Sequence, residues 1–231
     1  MIDKRRHYIL VLDTETANTI IDKDGKMDMS NVLMYDCGWA VIDIHGNIYE
    51  TASYVNSDIF IHEKELMASA YYNEKIPQYI EGIKNGSRIL ANTYVIRMAM
   101  LETIKKYSIK EVCAHNSRFD LTSLNNTQRW TTKSKYRYWF PSDTIIWDSM
   151  LIAKSVMGKM PTYKKFCKEN NYLTKRGQCR FTAEILYRFI SKNNDFQERH
   201  TALEDCEIEA QIIAYCYRQH KPMKKELFSK K

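Results

Sequence analysis

A chain of 231 residues with 44% apolar and 27% charged side chains has globular usage and can bury a core without staples, which excludes wholesale disorder. No stretch approaches the ~18 apolar residues of a membrane span, and the run Ile9-Leu10-Val11-Leu12 after Lys4, Arg5 and Arg6 is too short for a signal peptide. The length fits one or at most two domains, and the formal net charge is +7. A soluble, cytoplasmic protein without a membrane partner is expected.

Taken in chain order, residues 8–15 read as a buried strand whose aliphatic run ends on two carboxylates. Residues 34–44 and 48–55 read as two more strands around a His45-Gly46-Asn47 turn. The stretch 62–107 lacks strand alternation and carries helical segments at 63–72, 77–84 and 93–107. A short strand at 111–114 opens into a helix after Asn116, its expected cap. A strand at 144–147 leads to a helix reaching Val156, for which Asp148 is well placed as N-cap. The remainder is helical, with breaks near 158–161, Gly177 and Asn193-Asn194. A meander followed by strands alternating with helices specifies an α/β fold with a mixed sheet.

The six cysteines (37, 113, 167, 179, 206 and 216) form no CxxC pair and match no zinc spacing, so free thiols are expected. The positive charge is concentrated. Between 154 and 180 there are eight bases, Lys164 and Lys165 among them, and one acid, a surplus equal to that of the whole chain. Between 129 and 140, Arg129, Lys133, Lys135 and Arg137 alternate with Trp130, Tyr136, Tyr138, Trp139 and Phe140. Bases that neutralise phosphates beside rings that stack on nucleobases suit single-stranded nucleic acid. The alternative is a solvated basic loop whose rings turn inward. The lysines of 221–231 read as a solvated, partly disordered tail.

Three sets of acids carry the chemistry. Asp13 and Glu15 share one face at the end of the first strand, where their mutual repulsion calls for a hard cation unless solvent compensates. Asp120, in AHNSRFD, falls near the positive end of a helix. In HTALED, Thr201 and Glu204 have capping-box spacing, which puts His200 just outside a helix and Asp205 one turn inside. Leu203, Cys206, Ala210, Ile213 and Tyr217 then form its apolar stripe. His115 reads as structural.

In this order, D-x-E, N-x-x-x-D and H-x-x-x-x-D together resemble the DEDDh 3′–5′ exonucleases, a family that includes proofreading subunits and oligoribonuclease. The motifs span residues 13 to 205, and Thr201, where the Tyr class would carry tyrosine, favours the His class. The resemblance implies a ribonuclease H-like three-layer fold with a mostly five-stranded mixed sheet flanked by helices. It implies that Asp13, Glu15, Asp120 and Asp205 hold two Mg²⁺ ions, with Mn²⁺ as a substitute. His200 would be the general base. Thr14 and Thr16 would line the terminal nucleotide, with Asn116 and Phe119 also binding nucleic acid, while Arg129, Lys135, Arg137, Lys164 and Lys165 hold the incoming strand. The expected activity is metal-dependent release of nucleoside 5′-monophosphates from 3′ ends of mainly single-stranded DNA. An oligoribonuclease-like enzyme on RNA, or a non-catalytic binding module, is the alternative. Oligomeric state is not legible.

Overall fold

Period-two alternation in the first strand divides the molecule into layers. The computed structural model describes all residues except 1, 4, 19, 22–26, 29, 71 and 229–231, with backbone alone at 20, 21, 27 and 28. Lys4, Lys230 and Lys231 therefore lie outside the described residues. In β1 (Tyr8–Ala17), Ile9 and Val11 face one core, and Leu10 and Leu12 face another.

After β1 come a two-stranded ribbon, β2 (Ile20–Ile21) with β3 (Met27–Asp28), and the strands β4 (Leu33–Asp43) and β5 (Ile48–Asn56). The turn between β4 and β5 is built by Asp43, whose carboxylate accepts the backbone N–H groups of His45 and Asn47. Helices α1 (Ser57–Phe60), α2 (Lys64–Ala68) and α3 (Ile76–Asn85) precede β6 (Ile89–Ala91) and α4 (Thr93–Tyr107). Then β7 (Glu111–Ala114) leads into α5 (Arg118–Thr132), and β8 (Ile145–Asp148) into α6 (Ser149–Val156). The chain continues through α7 (Pro161–Glu169), α8 (Ala183–Ser191) and α9 (Ala202–Arg218).

The main sheet has the order β6-β5-β4-β1-β7-β8. The β1–β4 and β4–β5 pairs are antiparallel, while β1–β7, β7–β8 and β5–β6 are parallel. Ile96 and Met100 of α4 and Leu124 of α5 pack on Leu10 and Leu12. Ile152 of α6, Tyr163 of α7, Ile185 of α8 and Ile213 of α9 pack on Ile9 and Val11. The result is the expected three-layer α/β architecture, with six strands in the main sheet among the described residues rather than five. The added strand, β6, has three residues, too few to show alternation within a stretch that reads as helical. The helix expected over 63–72 is confined to α2.

Asp148 caps α6 as its position predicts, Oδ1 accepting from the N–H groups of Met150 and Leu151. Helix α9 departs from its expected stripe: Cys206, Ala210 and Ile213 are buried, but so are Ala202, Ile208, Ile212, Ala214 and Cys216. It packs against β1, β4, α6 and α8 together, so a single apolar face is not enough. The basic tail also differs. The carbonyl of Lys225 accepts from Asp148 N–H and Leu227 N–H donates to the carbonyl of Ile146, so the tail pairs along β8. The Lys225 ammonium lies 4.6 Å from the Trp147 ring centroid, which anchors the strand side by side with the sheet edge. All six cysteines are free, five of them buried. No helix among the described residues is long and apolar enough to cross a membrane.

Candidate active site

The alternation that buries Ile9 and Val11 against α9 carries on to Asp13 and Glu15, which therefore project toward the same helix. A register shift between Glu15 and Thr16 in the β1–β4 ladder marks a bulge where the carboxylates emerge. Opposite Asp13 in β4 stands Gly38. A Cβ at Gly38 would lie 2.3 Å from the Leu203 nitrogen and 2.5 Å from the Ala202 carbonyl carbon, so only glycine lets the start of α9 settle onto the sheet. The Cys206 thiol donates to the Gly38 carbonyl at 3.3 Å.

The start of α9 is held by an unforeseen partner. Ala202 N–H donates to Oδ2 of buried Asp36 at 3.0 Å, an oxygen that also accepts from Tyr79 OH at 2.8 Å and faces Arg88 at 3.3 Å. Thr201 is the N-cap by position, but its hydroxyl donates to Glu204 at 2.6 Å instead of accepting a helix N–H. The expected capping box is corrected accordingly: Asp36, from β4, satisfies the helix end. With α9 seated, one carboxylate oxygen each from Asp13, Glu15 and Asp205 lie within 4.8 Å of one another.

Asp120 arrives from the other side of the sheet. Asn116 is not a cap: its φ of 64° is left-handed, which asparagine tolerates, and Ser117 precedes the helix. Asp120 in the first turn of α5 accepts the Thr14 N–H at 3.0 Å and the Thr14 hydroxyl at 2.9 Å, both on Oδ1. Asp120 is buried and does not itself line the cavity, but it lies close enough for its charge to act on Asp13 and Glu209.

That cavity, of about 390 Å³, is lined by Asp13, Thr14, Glu15, Thr16, Asn116, Phe119, His200 and Asp205 among the predicted residues. Tyr72, His115, Met150, Glu198 and Glu209 also line it, none of them foreseen as site residues. Glu209 follows Asp205 by four positions and so shares its helix face, a signal present in the sequence. The His115 backbone N–H donates to Glu209 Oε1 at 3.0 Å, while its ring nitrogens bond Ser149 Oγ at 2.8 Å and the Phe181 carbonyl at 2.7 Å. His200, with φ 50°, stands just outside α9 as expected. Its ring stacks on Tyr72 with centroids 4.6 Å apart, and Lys75 donates to the carbonyls of His200, at 3.2 Å, and of Arg199. Residues 62–107 thus reach the cavity.

The site is strongly acidic. Burial, reinforced by neighbouring carboxylates, pushes Asp13, Glu15 and Glu209 well above the carboxylate range. Burial lifts Asp120 to about 7, against the Thr14 hydrogen bonds, and Asp205 to about 8, helped by Glu198. Burial and then Lys75 hold His200 below its usual value. Three buried carboxylate oxygens, Asp120 Oδ2, Asp205 Oδ1 and Glu209 Oε2, have no hydrogen-bond partner among the described residues. Clustered hard oxygen donors with unsatisfied lone pairs fit a divalent cation.

The basic-aromatic stretch divides between both readings. Trp139 is fully buried, whereas Tyr136 and Tyr138 are 77% and 60% exposed. Arg129 lies over Tyr138, Lys133 over Trp130 and Lys135 over Tyr136. Arg129, Lys135, Arg137, Lys164 and Lys165 do not line the acidic cavity. Lys165 faces Glu169 at 3.7 Å on the surface of α7.

No family model matches the sequence, and no curated protein matches it. Solved structures do match in shape. The nuclease domain of 3′hExo, a DEDDh family member bound to rAMP, superposes with a TM-score of 0.56 at 14% identity over 96% of this chain and 98% of that domain. E. coli Exonuclease I in complex with a dA16 oligonucleotide matches with a TM-score of 0.50 at 14% identity over 94% of this chain, which spans only 41% of that protein. S. pombe Pop2p in its Mg²⁺- and Mn²⁺-bound form gives 0.50 at 12% identity, over 92% of this chain and 83% of that one. At such identities the likeness is one of architecture: the chain shares the ribonuclease H-like fold seen in the 3′hExo nuclease domain.

Proposed function

We propose that the chain, as one domain over 1–231, is a metal-dependent 3′–5′ exonuclease that removes nucleoside 5′-monophosphates from 3′ ends, mainly of single-stranded DNA. The observation that carries this reading is the meeting of Asp13, Glu15 and Asp205 oxygens within 4.8 Å, beside a rim histidine in the same cavity. The matched structures bound to dA16, to rAMP, or to Mg²⁺ and Mn²⁺ agree with a nucleic-acid phosphate and divalent metals as its ligands.

Asp13, Glu15 and Asp205, backed by Asp120, would hold a pair of divalent cations. When bound, such a pair polarises the scissile phosphate and stabilises the charge that develops in an in-line displacement. His200 takes the proton from the attacking water. Burial and Lys75 depress its pKa, which favours the neutral imidazole a base needs, and the ring is reachable from the cavity. Thr16, Asn116, Phe119 and Met150 shape the remaining wall, where Phe119 and Met150 offer apolar surface to the terminal base or sugar. The incoming strand is held by the basic, ring-bearing surface at 129–140 and by Lys164 and Lys165.

A 5′-labelled oligonucleotide incubated with Mg²⁺ tests the proposal, as DNA and as RNA, with and without EDTA. A descending ladder on DNA that EDTA abolishes is expected. A ladder on RNA alone would shift the substrate to RNA, and no shortening of either would overturn the reading.

A further inference from the structure

Glu209 is 1% exposed and sits on α9 one turn beyond Asp205, with its carboxylate at the wall of the acidic cavity. The H-x-x-x-x-D motif that resembles the exonucleases ends at Asp205 and gives Glu209 no role. One oxygen, Oε1, accepts the His115 backbone N–H at 3.0 Å; the other, Oε2, is buried with no partner among the described residues. Holding the His115 N–H needs only a neutral carbonyl oxygen, which glutamine would supply without a second carboxylate beside Asp205 and Asp120. Two acids at i and i+4 on a buried helix face repel each other when both are ionised, and either a retained proton or a bound cation relieves the repulsion. Lys75 acts on Asp205 from the His200 side of the cavity.

We propose that Glu209 is a fifth carboxylate of the cation site, its Oε2 contributing to retention of the divalent ion on the Asp205 side of the cavity. This rests on the exonuclease reading of the cavity, and it extends the acidic set beyond the four motif positions. Its consequence is that the α9 side of the site binds its ion more tightly than the motif acids alone would.

Mn²⁺ titrations followed by electron paramagnetic resonance, without nucleic acid, test it on the wild-type chain and on Glu209→Gln. Glutamine keeps an acceptor for the His115 N–H, so far-ultraviolet circular dichroism should be unchanged. The expected result is loss of one Mn²⁺ per chain, or a weakening of one class of sites by about tenfold or more. Equal stoichiometry and affinity in the two proteins would overturn the proposal while leaving the exonuclease reading standing. A folded wild-type chain that takes up no Mn²⁺ at all would remove both. If Glu209→Gln does not fold, carboxyl ¹³C resonances of the wild type decide: a Glu209 signal that shifts on Mg²⁺ saturation supports the role, and an unmoved one overturns it.

Discussion

The ring of Tyr72 lies flat on the imidazole of His200, 12° from parallel and 4.6 Å between centroids, although 128 positions separate the two in sequence. Lys75 completes the contact, its ammonium 4.5 Å from the Tyr72 ring centroid and bonded to the carbonyls of Arg199 and His200. The segment between β5 and α4 therefore grips the backbone on which the proposed base is mounted, and that backbone is left-handed at His200. A residue outside a helix needs such support to present its ring in one direction.

Removing the ring should loosen the base without touching the acids. Tyr72→Ala is expected to lower kcat by about 10- to 100-fold, the cost of a misplaced catalytic group, with Mn²⁺ affinity unchanged. Steady-state rates beside a metal titration check this; a kcat equal to wild type would show that His200 holds its orientation unaided.

Lys75 has an electrostatic consequence as well. Burial and this ammonium keep the His200 pKa below 6.5, and the base works in its neutral form. Lys75→Met relieves one of the two depressing influences, so the acidic limb of the kcat/KM–pH profile should move to higher pH. A limb that stays in place or moves down would separate Lys75 from the titration of the base.

The acids make metal-free stability depend on pH in the unusual direction. Asp120 and Asp205 have folded pKa values of about 7 and about 8 against 3.8 for free aspartate, so the folded chain binds more protons than the unfolded one between these limits. Their protonated forms favour folding below about pH 4, and that advantage is lost as pH rises to about 8. In EDTA the Tm should fall between pH 5 and pH 8.5, and Asp205→Asn should flatten the fall and raise the Tm at the alkaline end. Relief of even ~1 kcal/mol corresponds to roughly 2–4 °C for a chain of this size. A Tm rising with pH in EDTA would contradict the clustering of these charges.

The parts of the site legible in the sequence are those fixed by local geometry. Strand alternation puts Asp13 and Glu15 on one face, helix spacing puts Asp205 one turn inside α9, and Asp148 caps α6 within three residues of itself. The parts that escaped depend on partners far along the chain. Nothing near Ala202 announces that Asp36, 166 positions away, takes the first amide of α9. Asn116 had the composition of a cap and the conformation of a left-handed turn, two uses that share one residue type. Glu209 repeats a spacing that solvated helix faces use constantly, and only its burial sets it apart.

Gly38 tests whether the docking of α9 is as close as its backbone contacts imply. The atoms that a Cβ would meet, at 2.3 to 2.6 Å, belong to the main chain of Ala202 and Leu203 and cannot rotate aside. Gly38→Ala should lower stability by about 1–3 kcal/mol and lift Asp205 away from Asp13. Urea unfolding together with Mn²⁺ affinity reads both effects. An unchanged midpoint would mean that the helix has room to spare.

The exposed rings at 136 and 138 separate two ways of holding a strand. If Tyr138 stacks on a base, with Arg129 over its ring at 5.0 Å, Tyr138→Ala should weaken binding of a single-stranded oligonucleotide by about 1–3 kcal/mol and leave the salt dependence intact. Arg129→Ala, or Lys164→Ala with Lys165→Ala, removes phosphate-neutralising charge and should instead reduce the slope of log affinity against log salt by about 0.7 for each charge in contact. Fluorescence anisotropy in EDTA, where no strand is cut, measures both quantities on one set of oligomers. Should Tyr138→Ala bind like wild type while the lysine pair flattens the salt slope, the strand runs over α7 and the rings at 129–140 serve the fold, as buried Trp139 does.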